Sequence, residues 1–412
     1  MRYTILFLFS ILGLSKGQAQ QGCTDPQAIN FSMAATENDG SCQYAPTSYT
    51  PELVHELSDT LSEISGLAYF QGALWAHNDS GDEPVIYRID SVSGTVVQRI
   101  SIRNAQHVDW EDMATDDRYL YIGDFGNNSG SRRDLRCYRI EGMHLHPDSN
   151  TVQADIIDFV FSDQTDFDVN ANQHNFDCEA FFVQNGNLHL FSKNWLDNRT
   201  RHYILPTSPG SHTAQLVDAF DAEGLITAAD VALDGTVVLL GYAGLEVFMW
   251  LLFDHPQGAF FQGNKRRIEL GSIGANSQAE AIVYTGLGHG FIGSERFQII
   301  GPGIPARLMA FESNQWTDRL TSTREASFDS KGIKVFPSPT TDELHLQWDK
   351  SSSPFLALKV ALYDEMGRLV KQLEWRPSQA DLTIDMGDLP MGSYYLHLRS
   401  DAFSISKQVQ KR

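Results

Sequence analysis

The feature that most limits what this 412-residue chain can become is a pattern that returns five times. "ISGLAY" (64–69), "WEDMAT" (110–115), "CEAFFV" (178–183), "AADVAL" (228–233) and "AEAIVY" (279–284) each open a short apolar run. Each leads into a second run: "LWAHND" (74–79), "LYIGDF" (120–125), "LHLFSK" (188–193), "VVLLGY" (237–242) and "GFIGSE" (290–295). A third run follows every time. A fourth follows the first four: "TVVQRI" (95–100), "ADIIDFVF" (154–161), "AQLVDAF" (214–220) and "RRIELG" (266–271). Short apolar runs broken by Gly, Asn and Asp, repeating at roughly fifty-residue intervals, predict an all-β chain built as a β-propeller with one four-stranded sheet per blade. "ELVHEL" (52–57) reads as a fourth strand set ahead of the first blade, where it would close the ring by completing the last. Five blades are expected, and a sixth around "NQWTDRLT" (314–321) is the competing count.

The flanks divide by composition. Residues 1–19 carry Arg2, the apolar run "ILFLFSILGL" (5–14) and a small-residue site at Gly17-x-Ala19, the pattern of a secretory signal peptide. Neither that run nor any later one, "VFMWLLF" (247–253) included, is long enough to cross a bilayer as a helix. Residues 20–46 are small, polar and bracketed by Cys23 and Cys42, which are expected to pair because export permits disulfides. Cys137 and Cys178 fall in different segments, and both a second disulfide and two buried thiols are open. Residues 48–325 hold the propeller. The polar linker "TSTREASFDSKG" (321–332) leads to a second strand-rich unit at 333–412. A net charge of −21 argues against nucleic acid as a partner and is compatible with cations.

Aligned by their opening strands, the repeats place Ser65, Glu111, Glu179, Ala229 and Glu280 in one column. The first strand of a propeller blade lines the channel, so such a column becomes a ring around the axis. Three converging carboxylates repel one another, and a cation relieves the repulsion. Calcium takes about 6–8 oxygen ligands in flexible geometry, and the column offers oxygen without His or Cys, which argues against zinc. A ring whose carboxylates accept backbone N–H bonds between blades, with no metal, is the other reading of the same column. The ends of the second strands form a further column: Asp79, Asp124, Lys193, Tyr242 and Glu295, with Arg296 beside it. It reads either as a polar rim for a ligand or as ordinary turn chemistry.

Three resemblances add to this. The Ser-Glu-Glu-x-Glu column and "WEDMATDDRYLYIG" resemble the calcium-dependent apyrases, nucleotidases on a five-bladed propeller. That resemblance implies calcium ligation by Ser65, Glu111, Glu179 and Glu280, with Ala229 a departure where the family has Ser. "GCTDPQAINFSMAATENDGSC" (22–42) is similar to a Cys-bracketed repeat of exported Bacteroidota proteins, often compared with thrombospondin type 3 repeats. The similarity implies Asp25, Asn30, Asn38 and Asp39 as calcium donors; a disulfide-closed turn without metal is the alternative. "IKVFPSPTTDELHLQW" (333–348), "KVALYDEMGRLVKQLEW" (359–375), "LPMGSYYLHLRSD" (389–401) and "SKQVQKR" resemble the type IX secretion sorting domain of Bacteroidota. That implies a small β-sandwich recognised by the type IX machinery, and a secreted or outer-surface protein.

No Gly-x-Ser-x-Gly, phosphate loop or His-Glu-x-x-His is present. The expected function is an exported binding propeller with calcium in its channel and a surface ligand at its rim. The alternative is a calcium-dependent phosphohydrolase acting on a nucleotide or another small phosphate ester, with Lys193 and Arg296 on the anion.

Overall fold

The structure is a computed structural model. It describes residues 19–273, 278–286, 288–297, 303–317, 333–348, 358–365, 367–375, 381–400 and 403–412. The expected signal peptide and the linker at 321–332 therefore lie outside the described residues, Ala19 excepted.

The chain begins with a parallel two-strand clip, β1 (Gln21–Gly22) and β2 (Glu37–Asn38), closed by the Cys23–Cys42 disulfide. β3 (Glu52–Glu56) comes next. The first blade is β4 (Ile64–Phe70), β5 (Ala73–Asn78), β6 (Val85–Ile89) and β7 (Val96–Ile102). The second is β8 (Trp110–Thr115), β9 (Tyr119–Asp124), β10 (Arg136–Glu141) and, after the short β11 (Thr151–Val152) that pairs back onto β7, β12 (Asp155–Phe161). The third is β13 (Asp177–Gln184), β14 (Asn187–Lys193), β15 (Thr200–Pro206) and β16 (Gly210–Phe220). The fourth is β17 (Leu225–Val231), β18 (Val237–Ala243), β19 (Glu246–Phe253) and β20 (Asn264–Ser272). The fifth is β21 (Ala279–Tyr284), β22 (His289–Ser294) and β23 (Arg307–Glu312), and its outer strand is β3.

The expected closure by "ELVHEL" is thus what the register shows: β3 runs antiparallel to β23, with Leu308 opposite His55. The innermost strands β4, β8, β13, β17 and β21 touch in that order, and β21 returns to β4. Five blades complete the ring. Residues 314–317, part of the proposed sixth blade, form a single helical turn, and 318–320 lie outside the described residues.

Apolar side chains explain why the sheets stand face to face. One cluster joins blades one and two through Phe70, Trp75, Trp110 and Tyr138. Others join blades two and three, three and four, and four and five, and the last joins five to one through Ile64, Leu67, Ala281 and Leu308. Each blade alone would leave both faces wet, so burial rewards only the closed ring.

Residues 333–411 form two further sheets. One is β24 (Ile333–Phe336), β25 (Glu343–Trp348) and β28 (Leu382–Asp385). The other holds β26 (Leu358–Tyr363), β27 (Leu369–Trp375), β29 (Gly392–Ser400) and β30 (Phe403–Lys411). They pack around their own core, which includes Leu344, Val360, Trp375, Leu396 and Val409 and shares no residue with the propeller's. The two units meet through a Lys359–Asp117 ion pair. Among the described residues no helix is long and apolar enough to cross a membrane.

Candidate metal centre

Each inner strand carries a register irregularity at the same place. It falls between Ile64 and Gly66, Trp110 and Met113, Cys178 and Ala180, Ile226 and Ala228, and Ala279 and Ala281. A bulge inserts an extra residue and re-aims its side chain. The residues so displaced are Ser65, Glu111 with Asp112, Glu179, Thr227 and Glu280. The structure therefore corrects one ring position. Thr227, not Ala229, is the fourth blade's equivalent, and the column reads Ser, Glu, Glu, Thr, Glu. Ala229 lies two residues further along β17, fully buried, and its N–H donates to Asp112 Oδ2 at 3.2 Å.

The two hydroxyls act alike. Ser65 Oγ donates to the Glu111 carbonyl at 2.5 Å, and Thr227 Oγ1 donates to the Ala279 carbonyl at 3.1 Å. Each ties one inner strand to the next. Asp112 does more: its carboxylate accepts from the N–H groups of Met113 (2.8 Å), Phe181 (3.1 Å) and Ala229 (3.2 Å), joining blades two, three and four. Backbone N–H bonds between blades thus go to Asp112, beside the column, and none among the described residues goes to the carboxylates of Glu111, Glu179 or Glu280.

The glutamates are differently placed. Glu179 accepts Lys193 Nζ on both oxygens at 2.6 Å, and both side chains are buried. Lys193 also stands 5.0 Å from the Trp195 ring and 5.5 Å from that of Tyr242. Burial raises the Tyr242 hydroxyl to about 12. This ammonium is committed to the ring and is not open to an anion. Arg296, likewise, pairs with Asp59.

Beside the Glu179–Lys193 pair five carboxylates converge. Asp79, Asp109 and Glu111 each bring an oxygen within 4.8 Å of the others, and so do Asp79, Glu280 and Glu295. The two columns read separately in the sequence thus meet at one mouth, with Asp79 common to both groups. Gly126 makes room, since a Cβ there would stand 1.9 Å from Glu111 Oε1 and 2.6 Å from Asp109 Oδ2. Asp124 does not join the group. It pairs with Arg132 at 2.9 Å and accepts the Asp109 N–H at 3.1 Å, so it positions Asp109 from behind. Asp109 had no place in either column because it precedes the strand. Its signal was its neighbour: the "VDWED" crowding at 108–112.

Loss of water dominates the electrostatics. Burial, then the neighbouring carboxylates, holds Glu111 well above its ordinary range. The same causes lift Asp109 to about 7 and Glu295 to about 10. Glu280 and Asp79 are raised too, again chiefly by burial. Two charges 4.8 Å apart cost roughly 3 to 4 kcal/mol at an effective dielectric of about 20. Glu111 is 4 % exposed, yet among the described residues no donor is paired with its carboxylate.

The donor set suits a hard cation. Neither group contains His or Cys. An ion centred among three oxygens no more than 4.8 Å apart stands at most about 2.8 Å from each. That is a few tenths beyond calcium's ~2.3–2.6 Å and well beyond magnesium's ~2.0–2.1 Å. Small side-chain rotations reach the first and not the second.

The N-terminal oxygens make local hydrogen bonds. Asp25 accepts the Gln27 N–H and the Tyr44 hydroxyl, and Asp39 accepts the Ser41 N–H. Asn30 bridges Ser41 and Gln43, and Asn38 bonds Gly40, Asn264 and the Asp254 carbonyl. They shape the turns and dock the clip on blade four. Cys137 and Cys178 are buried free thiols. A cavity of about 720 Å³ lies at the other mouth, lined by the far ends of the inner strands and by Tyr363 and Gln372 of the C-terminal unit.

Residues 334–412 match the family described as the secretion system C-terminal sorting domain. No curated protein matches the chain. Among solved structures it is similar to the calcium-binding protein regucalcin from Agrobacterium tumefaciens, at 10% identity over 65% of this chain and 95% of that one, with a TM-score of 0.34. A protein of unknown function from Bacteroides caccae is 10% identical over 74% of this chain and 94% of its own, with a TM-score of 0.27. A protein with an immunoglobulin-like β-sandwich from Bacteroides vulgatus is 21% identical over 21% of this chain and 90% of its own, with a TM-score of 0.18. The C-terminal unit is a type IX sorting domain, and the protein that carries it is secreted or held on the outer cell surface.

Proposed function

We propose that the protein is an exported binding propeller that holds calcium at one mouth of its channel and presents that mouth to a surface ligand. The observation that carries the calcium is Glu111: buried, facing Asp79 and Asp109, and without a donor among the described residues. A protein that buries acids this way must protonate them or neutralise them. The cation does so with the carboxylates ionised. The residues that would hold it are Asp79, Asp109, Glu111, Glu280 and Glu295, while Ser65, Thr227 and Glu179 brace the ring around them.

The binding reading is preferred to phosphate-ester hydrolysis on charge. A phosphate arriving at this mouth meets acids, and Lys193 and Arg296, the cations that could hold it, are already paired with Glu179 and Asp59, as Arg132 is with Asp124. A neutral or cationic ligand meets no such opposition. Calorimetric titration of the full secreted chain with calcium tests the proposal. Binding that is lost when Glu111→Gln and Asp109→Asn are combined supports it, and no heat with the unaltered chain overturns it. Calcium-dependent phosphate release from a nucleotide would turn the reading to the enzyme.

A further inference from the structure

The far mouth of the channel holds a cavity of about 720 Å³ with walls from both units. That volume lies in the range of small-molecule sites. The inner strands supply its apolar side, through Leu67, Met113, Val183 and Val283. Tyr363 and Gln372 come from the C-terminal unit. Strand alternation explains their presence. Val360 and Leu362 of β26 belong to the C-terminal core, so Lys359, Ala361 and Tyr363 share the opposite face. Gln372 of β27 stands opposite Ala361 and joins them. This face meets the propeller closely. Lys359 pairs with Asp117, and a Cβ on Gly286 would stand 3.3 Å from Gly367 Cα.

Charge selects what the cavity takes. Its described lining contains Asp116, Asp117, Asp230 and Asp234 and no Lys or Arg. Burial holds His255, the one histidine there, below its ordinary range, so it adds no positive charge at neutral pH. Asp117 already has the Lys359 ammonium, and Asp116 has the Tyr121 hydroxyl at 2.8 Å. Asp230 differs. Its carboxylate accepts the Tyr284 N–H at 2.7 Å and the Val231 N–H, and no cation among the described residues pairs with it. Burial lifts it to about 7. An ammonium beside it favours the ionised form. The Tyr69 and Tyr363 rings on the same walls favour a cation further.

We propose that this cavity binds a small ligand carrying an ammonium on an apolar body, and that the C-terminal unit completes the site. The ammonium lies at Asp230, the body lies against the inner-strand side chains, and Tyr363 and Gln372 close the wall. Lys359 on Asp117 shows the same chemistry at the rim, with the ammonium supplied by the chain itself. The ligand touches both units, so binding and docking support each other, and losing the C-terminal unit weakens binding. The site stands apart from the calcium mouth and does not depend on it.

Ligand-observed magnetic resonance titrations of the full chain test it, with phenethylamine as probe and phenethyl alcohol as its neutral counterpart. The amine should bind, and the alcohol about tenfold or more weakly. Asp230→Asn should weaken the amine about tenfold and leave the alcohol unchanged. Tyr363→Ala, which leaves every propeller residue in place, should weaken the amine several-fold. Cleavage within 321–332 and removal of the C-terminal unit should do the same. If Asp230→Asn does not fold, the comparison of amine with alcohol and the Tyr363→Ala protein still decide. No amine binding up to about 10 mM overturns the site. Equal binding of amine and alcohol overturns the ligand class. Unchanged binding by the separated propeller overturns the part given to the C-terminal unit.

Discussion

Lys193 Nζ sits 2.6 Å from both oxygens of Glu179, and the pair is buried inside a ring of acids. On blade three the ammonium pairs with the ring glutamate itself, whereas among the described residues no ion pair is made by Glu111 on blade two or Glu280 on blade five. Removing one partner of a buried pair leaves a charge without compensation and costs about 3–5 kcal/mol. Lys193→Met should therefore lower stability by about that much in chelator. Calcium should restore part of the loss, because Glu179 then becomes a further ligand. Equilibrium urea unfolding with and without calcium measures both. An equal loss in the two conditions would separate Lys193 from the cation site.

Asp112 gives the contrasting case. Its carboxylate joins three blades by three backbone hydrogen bonds and faces no partner in the acid groups. Asp112→Ala leaves buried N–H groups unpaired, at about 1–3 kcal/mol each. We expect a loss of several kcal/mol that calcium does not change, against a calcium-dependent change for Glu111→Gln. Thermal unfolding of both variants with calcium and with chelator distinguishes the two roles.

Two groups of residues give opposite pH limbs. Burial lowers His77 and His189 to about 4 and His202 to about 3. His189 Nδ1 and His202 Nε2 lie 2.9 Å apart among Phe182, Phe191 and Phe260. The unfolded chain takes protons on these rings near pH 6.5 and the folded chain does not, so stability is complete above about 6.5 and falls as pH drops toward 4. The raised acids act in reverse. Folded Asp109 and Glu295 keep protons to about 7 and about 10, so in chelator stability falls as pH rises above about 4.5. Calcium should flatten the second limb and not the first. Melting temperatures from pH 4.5 to 8.5 in both conditions check the sign of each.

The sorting domain and the propeller have separate cores; they meet at an exposed ion pair worth about 1 kcal/mol or less, where Gly286 approaches Gly367, and around the far-mouth cavity. Cutting the chain within 321–332 should shift the propeller's melting temperature by less than about 2 °C. Scanning calorimetry before and after cleavage measures it. A larger fall would show that the C-terminal unit stabilises the mouth it touches.

Repeat length, strand order and ring closure were legible because burial on two faces writes near-continuous apolar runs, and the bare repeat counts them. The place of "ELVHEL" followed from a missing fourth strand in blade five. The exact column was not legible. "ITAADV" and "AADVAL" differ by two residues, one full strand period, so either phase keeps the same face and apolar alternation cannot choose. The bulge chooses, and it is a register event invisible in side-chain pattern. Thr227→Val tests that choice, and should cost about 1–2 kcal/mol by leaving the Ala279 carbonyl short of a donor. The meeting of Asp79, Glu295 and Asp109 with the ring was hidden for a different reason. Asp79 and Glu295 extend the second strands by one residue, their N–H groups donating to the Glu63 and Gln278 carbonyls, while Asp109 lies in the loop before β8. The distance between neighbouring blades at that end is not written in any strand's period.

Diffraction from crystals of the full chain grown in calcium bears most directly on the axial site. An anomalous peak is expected at the channel mouth, about 2.3–2.6 Å from oxygens of Asp79, Asp109 and Glu111. Well-ordered carboxylates at that mouth with only water between them, at a calcium concentration of several millimolar, would contradict it.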